Sequence, residues 1–273
     1  MNKVYQVYQV SDSTGEALDR IFLAIKAQFL DFECKTIHYS FTRTTNQIDK
    51  IIAKCKEEKN VIILYTIVDK NLSKNLATQC KENNIPSFEI LGNIISDFSK
   101  LLKKEAIRKP GGQHTLDDEY YKRIEAVQFT MSHDDGKVIS DIEKSDIILV
   151  GVSRTSKTPT SIYLANRGYK TTNIPIIPNN QLPKQLTDAN NKICTIGLVC
   201  DAERLLDVRR NRIHSMQEDR PGEYTDRKKI DGELENSKLL FKKYNWPIID
   251  VTRKSVEETA ASVIKIFDIL NSK

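Results

Sequence analysis

Eight consecutive residues carry the densest chemistry in this chain: Gly151, Val152, Ser153, Arg154, Thr155, Ser156, Lys157 and Thr158. A glycine, a hydroxyl-rich loop and a closing Lys-Thr pair have the length and ending of a phosphate-binding loop. In such a loop backbone N–H groups cradle phosphates, the lysine reaches their oxygens and the threonine hydroxyl holds Mg²⁺. Thr158 is therefore the expected metal ligand. Ser156 departs from the general pattern, because it stands where a glycine usually precedes the lysine, and a serine has less conformational freedom there. The plain alternative is a polar strand-to-helix turn with a fortuitous Lys-Thr.

The flanking sequence supplies the elements that would position this loop. Ile147, Ile148, Leu149 and Val150 form a β-branched run that reads as a strand buried on both faces. Pro159 falls in the first turn of the helix that follows, where a missing N–H costs nothing, and Gly168 is placed to stop that helix. A second hydroxyl cluster, Ser11-Asp12-Ser13-Thr14-Gly15, follows a first strand containing Val4, Val7 and Val10. Ser13 and Glu16 have capping-box spacing, with Leu18, Ile21, Phe22 and Ile25 as the apolar face of a helix. Capping accounts for the serine and glutamate. It does not account for the whole cluster at a strand's carboxyl end, where open α/β sheets bind ligands.

Strand and helix patterns alternate along the rest of the chain. Strands are expected at 36–41, 61–68, 85–90, 171–177, 192–200 and 247–251. Helices are expected at 47–58, from a cap at Asp69 to about 83, at 94–104, 117–131, 227–244 and 255–270, and after a cap at Asp201. Residues 105–116, with Lys109-Pro110-Gly111-Gly112, break the rhythm and read as a linker. The expected organisation is thus an N-terminal parallel α/β unit over 1–104 and an α/β domain over 117–273 that contains the phosphate loop and resembles a P-loop kinase. The helix from Asp117 carries Tyr121, Ile124, Val127 and Met131 at helical spacing and ends in Ser132-His133-Asp134-Asp135-Gly136, a polar acidic turn with Gly136 suited to positive φ. Arg204, Arg209 and Arg212 lie largely off the apolar side of the helix after Asp201, and residues 215–226 read as an exposed loop.

Composition narrows the function classes. A net charge of +5, from 42 basic and 37 acidic residues, leaves a surface of mixed sign and not the dense basic face of a nucleic-acid binder. No signal-peptide core and no apolar run of about 20 residues is present, so neither export nor a membrane span is expected. Five scattered cysteines without C-x-x-C spacing read as reduced thiols, and the expected location is the cytoplasm.

Three segments taken together, SDSTGEA at 11–17, SHDDG at 132–136 and DIILVGVSRTSKTPTSIYLANRGYKTTNIPIIP at 146–178, carry a resemblance. The chain resembles the bacterial regulatory proteins of pyruvate, phosphate dikinase and phosphoenolpyruvate synthase, and the order and spacing of the three motifs extend the match over its whole length. Ser156 is ordinary in that family. The resemblance implies a bifunctional enzyme acting on the dikinase, or less closely on the synthase. It would be an ADP-dependent serine/threonine kinase that inactivates its target on a threonine beside the catalytic histidine. It would also be a phosphorylase in which inorganic phosphate removes that phosphoryl group as pyrophosphate. A homodimer is the family expectation. Gly151 to Thr158 would bind ADP, with Lys157 bridging its phosphates and Arg154 orienting the β-phosphate or the incoming phosphate. Asp134 and Asp135 beside His133 are the candidates for proton transfer or metal support; the ordinary alternative is a hydrated turn. Ser11, Ser13, Thr14 and Gly15 would hold inorganic phosphate or the phosphothreonine, aided by the helix N-terminus. Two rivals share the loop: an ATP-dependent small-molecule kinase, and a nucleotide-sensing module without catalysis.

Overall fold

A computed structural model describes residues 3–113, 116–136, 141–178, 180–188, 193–215 and 223–272. The chain divides into two compact units, Met1–Thr115 and Leu116–Lys273. Lys192, most of the expected loop at 215–226 and the last two-residue stretch before Leu116 lie outside the described residues.

The first unit runs β1 (Tyr5–Ser11), α1 (Glu16–Lys26), β2 (Cys34–Tyr39), α2 (Thr45–Glu57), β3 (Val61–Thr66), α3 (Lys70–Glu82), β4 (Ser87–Glu89) and α4 (Gly92–Leu102). Its four strands are parallel in the order β2-β1-β3-β4. Alternation along the strands divides the core between two faces. Tyr8, Val10, Ile63 and Tyr65 pack with Ile48, Ile51, Ile52 and Leu76 of α2 and α3. Val7 and Leu64 pack with Leu18 and Phe22 of α1. Asp69 caps α3 as expected, its side chain accepting from Leu72 N.

The second unit runs α5 (Asp118–Ser132), β5 (Ile147–Gly151), α6 (Lys157–Ala165), β6 (Thr171–Pro175), α7 (Lys184–Thr187), β7 (Cys194–Val199), α8 (Ala202–Ser215), α9 (Arg227–Lys243), β8 (Ile248–Asp250) and α10 (Val256–Asn271). Its sheet is again parallel, in the order β6-β5-β7-β8, the same winding as the first. In both sheets the first strand has its two neighbours reached by crossovers in opposite directions. The loop leaving that strand therefore opens at the switch point where doubly wound sheets bind ligands. The protein is thus α/β, with two parallel four-stranded sheets.

Every residue of β5 is buried, as its β-branched run predicts. Gly168 (φ 91) ends α6, donating its N–H to Ala165 O at 2.8 Å. The expected apolar stripe of α5 behaves differently. Tyr121, Ile124 and Met131 are exposed, and the buried positions are Ala126 and Thr130. Small residues let this helix approach β6 closely enough for Thr130 Oγ1 to accept the Thr171 N–H at 3.0 Å, so its inner face is small rather than greasy. All five cysteines are free, and burial pushes the thiols of Cys194 and Cys200 up to about 11. No described helix is long and apolar enough to cross a membrane.

Candidate active site

The loop at the carboxyl end of β5 is held by its own backbone. A Cβ added at Gly151 would lie 2.7 Å from Leu198 O and 2.8 Å from Thr155 Oγ1, so only glycine fits where the chain leaves the sheet. Val152 O then accepts two bonds, from Thr155 Oγ1 at 2.9 Å and from Lys157 Nζ at 3.0 Å. Arg154 (φ 75) and Ser156 (φ 58) both take the left-handed conformation. The reduced freedom expected of Ser156 is therefore overridden by the turn, at a cost of about 1 kcal/mol for a residue with a Cβ. Ser156 occupies the N-cap of α6 without a side-chain cap bond, leaving the first N–H groups of the helix to an anion. Ser153, Arg154, Ser156, Lys157, Thr158 and Asp135 line a cavity of about 300 Å³.

Lys157 is only 5% exposed. Burial drives its ammonium down to about 8 from 10.5; Asp135 and Asp134 oppose the shift, and Arg154 and Arg209 reinforce it. A lysine in this state gains most from a phosphate, which brings the countercharge that the interior lacks.

The acidic turn reaches the loop. Asp134 Oδ1 accepts from Thr158 Oγ1 at 3.0 Å and from Asn173 Nδ2 at 2.6 Å, and the same Asn173 Nδ2 donates to Thr158 Oγ1 at 2.9 Å. Asp135 (φ 53) and Gly136 (φ 68) make the sharp turn that brings Asp135 to the cavity wall. His133 is placed otherwise. It is buried, stacks on Phe129 with ring centroids 3.8 Å apart, and lies with Nδ1 2.8 Å from Phe129 O. A carbonyl only accepts, so Nδ1 carries the proton, and Nε2 is buried without a partner. His133 does not line the cavity; its ring packs on Phe129 of α5.

Three further residues shape the loop: sequence does not single out Asn173 or Tyr224, whereas Arg209 belongs to the basic cluster with Arg204 and Arg210 that sequence offers either for closing over phosphates or as a solvated helix face. Asn173 is 1% exposed and stands out as the one amide in the apolar string TTNIPII. Tyr224 OH lies 3.2 Å from both Ser153 Oγ and Arg154 Nε. Arg209, expected on the polar side of its helix, is 1% exposed. Glu233 of α9 pairs with it at 2.6 Å, and its guanidinium donates to Ser153 O at 3.4 Å and stacks 4.5 Å from the Tyr224 ring. The partner 24 residues away makes burial of this charge affordable, and no local pattern announces it.

In the first unit, Ser11, Ser13, Thr14 and Gly15 line a separate cavity of about 200 Å³. The expected capping box between Ser13 and Glu16 does not form. Gly15 (φ 89) takes the N-cap position and α1 begins one residue later, with no side-chain cap. Ser11 Oγ instead accepts from Ser13 N and Thr66 Oγ1, both at 3.1 Å.

A sequence model described as kinase/pyrophosphorylase matches residues 7–264. The chain belongs to the kinase/pyrophosphorylase family. Among its relatives, a protein of Pelagibacter ubique (strain HTCC1062) described as "Putative pyruvate, phosphate dikinase regulatory protein" is 55% identical over 98% of each chain. Proteins with the same description from Chelativorans sp. (strain BNC1) and Afipia carboxidovorans are 42% and 41% identical, covering 96% and 97% of this chain and 96% of each relative.

For a kinase/pyrophosphorylase the task is phosphoryl transfer, which asks little covalent chemistry of the protein and much positioning of charge. The second unit offers a glycine-gated backbone cradle, a buried cation, an exposed second cation at Arg154 and two carboxylates. The first unit offers hydroxyls and an uncapped helix end. Each set sits at the switch point of its own sheet.

Proposed function

We propose that this kinase/pyrophosphorylase is a bifunctional regulator of pyruvate, phosphate dikinase. In the kinase direction the hydroxyl oxygen of a dikinase threonine attacks the β-phosphorus of ADP, the α–β bridging P–O bond breaks, and AMP leaves while a carboxylate takes the threonine proton. In the reverse service an oxygen of inorganic phosphate attacks the phosphothreonine phosphorus. The bond to the threonine oxygen breaks, that oxygen is protonated, and pyrophosphate departs. The observation that carries this reading is the joining of Thr158 to Asp134, 24 residues apart in sequence, at the mouth of a loop containing the buried Lys157.

Under this reading Gly151 to Thr158 bind ADP as the loop of a P-loop-kinase-like domain that follows the N-terminal α/β domain and its linker. Lys157 spans the two phosphates, and Arg154 aligns the β-phosphate. Asp134 or Asp135 accepts the threonine proton. Ser11, Ser13, Thr14 and Gly15 serve the phosphate side of the reaction. Thr158 Oγ1 and Asp134 Oδ1 are hard oxygen donors of the kind Mg²⁺ takes. No group of three or more His, Cys, Asp or Glu of metal-binding arrangement exists among the described residues, so the nucleotide's phosphates would complete the shell. The ion would neutralise phosphate charge. The functional unit is a homodimer, acting in the cytoplasm alongside its target. The dikinase is preferred over phosphoenolpyruvate synthase because the relatives at 41–55% identity carry the dikinase description.

The test is incubation with purified dikinase and, separately, synthase, first with ADP or ATP and then with phosphate, followed by mass spectrometry of the catalytic-histidine peptide. The expected result is one phosphoryl group on a dikinase threonine with ADP, removed by phosphate with release of pyrophosphate. Modification of the synthase alone would reassign the target. ATP-dependent turnover of a small molecule, with no labelled protein, would overturn the proposal.

A further inference from the structure

The cavity in the first unit contains a group that a general anion site would avoid. Asp12 lines it and is only 3% exposed. One carboxylate oxygen, Oδ2, accepts the Val68 N–H at 2.7 Å, and no side chain among the described residues donates to the other. Around it the setting is anionophilic. The eleven-residue helix α1 begins at Glu16 with Gly15 at its N-cap and no side-chain cap bond, the hydroxyls of Ser13 and Thr14 make no hydrogen bond among the described residues, and Lys109 stands on the wall. The Lys109–Gly112 turn comes close to this rim: a Cβ at Gly111 would sit 3.2 Å from Ser13 Oγ. Helix end, lysine and hydroxyls ask for an anion, whereas a buried carboxylate repels one.

A single ligand class meets both demands, an oxyanion that carries its own proton. We propose that this cavity is an inorganic-phosphate site in which the P–OH of bound hydrogen phosphate donates to the other carboxylate oxygen of Asp12. The remaining phosphate oxygens then face the α1 N–H groups, the Ser13 and Thr14 hydroxyls and Lys109. Burial raises the Asp12 carboxyl above its ordinary value, against the pull of the Val68 N–H, its own backbone N–H and Arg43. The inference rests on the reading of phosphate as co-substrate and sharpens it. A phosphothreonine has lost its last proton above about pH 7, since its second pKa is near 6, and offers Asp12 nothing to accept. Sulfate has no proton to give at all. The site would therefore take free phosphate and reject both the phosphoprotein ester and sulfate.

The experiment is calorimetric titration of the full chain at about pH 8 with the Gly151–Thr158 loop saturated by ADP, using inorganic phosphate, sulfate and O-phosphothreonine as probes. One hydrogen bond to a charged group predicts that phosphate binds at least about tenfold more tightly than either of the others. Asp12→Asn keeps an oxygen for the Val68 N–H but adds an amide donor, so it should fold, as circular dichroism would verify, and should bring the phosphate-to-sulfate ratio to near one. Equal binding of phosphate and sulfate by the wild type would overturn the proposal. So would an Asp12→Asn protein that keeps the preference, or phosphate binding that disappears once ADP fills the loop. These outcomes are independent of whether a dikinase is modified, so failure of the proposed target leaves this test intact.

Discussion

Lys157→Met tests the electrostatics of the nucleotide loop without any substrate. The unfolded chain holds the lysine proton up to 10.5, the folded chain only to about 8. Between those values the unfolded state binds more protons, so stability rises with pH across this window, and the penalty is complete below it. At about 1.4 kcal/mol per pKa unit, burial of the ammonium costs the free protein about 3 kcal/mol at neutral pH. Methionine fills similar space without charge but abandons the bond to Val152 O, worth about 1 kcal/mol. The variant should therefore be more stable than wild type by about 2 kcal/mol at pH 7, and less stable by about 1 kcal/mol only well above pH 10.5, where the wild-type lysine is neutral in both states. Urea unfolding of both proteins at the two pH values measures the difference directly. ADP should also draw a proton onto wild-type Lys157 near pH 8, seen as buffer-dependent heat of binding, and the variant should show none. A variant that is less stable at pH 7, or a stability difference that does not change with pH, would refute this account of a strained, phosphate-seeking lysine.

Three other substitutions probe the loop and its support. Gly151→Ala pushes a methyl group against Leu198 O and Thr155 Oγ1 and should cost about 1–3 kcal/mol in thermal unfolding, with loss of ADP binding. Ser156→Gly relieves a left-handed serine; stability should stay within about 1 kcal/mol of wild type while kcat with ADP falls severalfold, and unaltered kinetics would deny the serine any part in nucleotide choice. Glu233→Ala leaves the Arg209 cation buried and unpaired and should cost about 3–5 kcal/mol, measured by urea denaturation, although neither residue lines the nucleotide cavity.

Much of this architecture is legible in the sequence because local rules and tertiary packing agree. The strand ending at Gly151, the helix stop at Gly168 and the caps at Asp69 and Asp201 follow from residue types at fixed offsets. The misreadings arise where a distant partner decides. Arg209 looks like surface because Glu233, which neutralises it, is on another helix. Ser13 looks like a cap, but Gly15 at φ 89 starts the helix later and releases the serine to the cavity. Asn173 offered a usable signal: an amide inside a β-branched strand must find partners, and here they are Asp134 and Thr158.

The central claim is that the Gly151–Thr158 loop and Asp134 transfer the β-phosphoryl group of ADP to a dikinase threonine. It is tested most directly by incubating wild type and Asp134→Asn with dikinase and ADP labelled in either the α- or the β-phosphate. The account expects β-label on the threonine, α-label only in AMP, and a rate at least about a hundredfold lower in the variant. Label arriving from the α-phosphate, or an Asp134→Asn enzyme working at the wild-type rate, would contradict it.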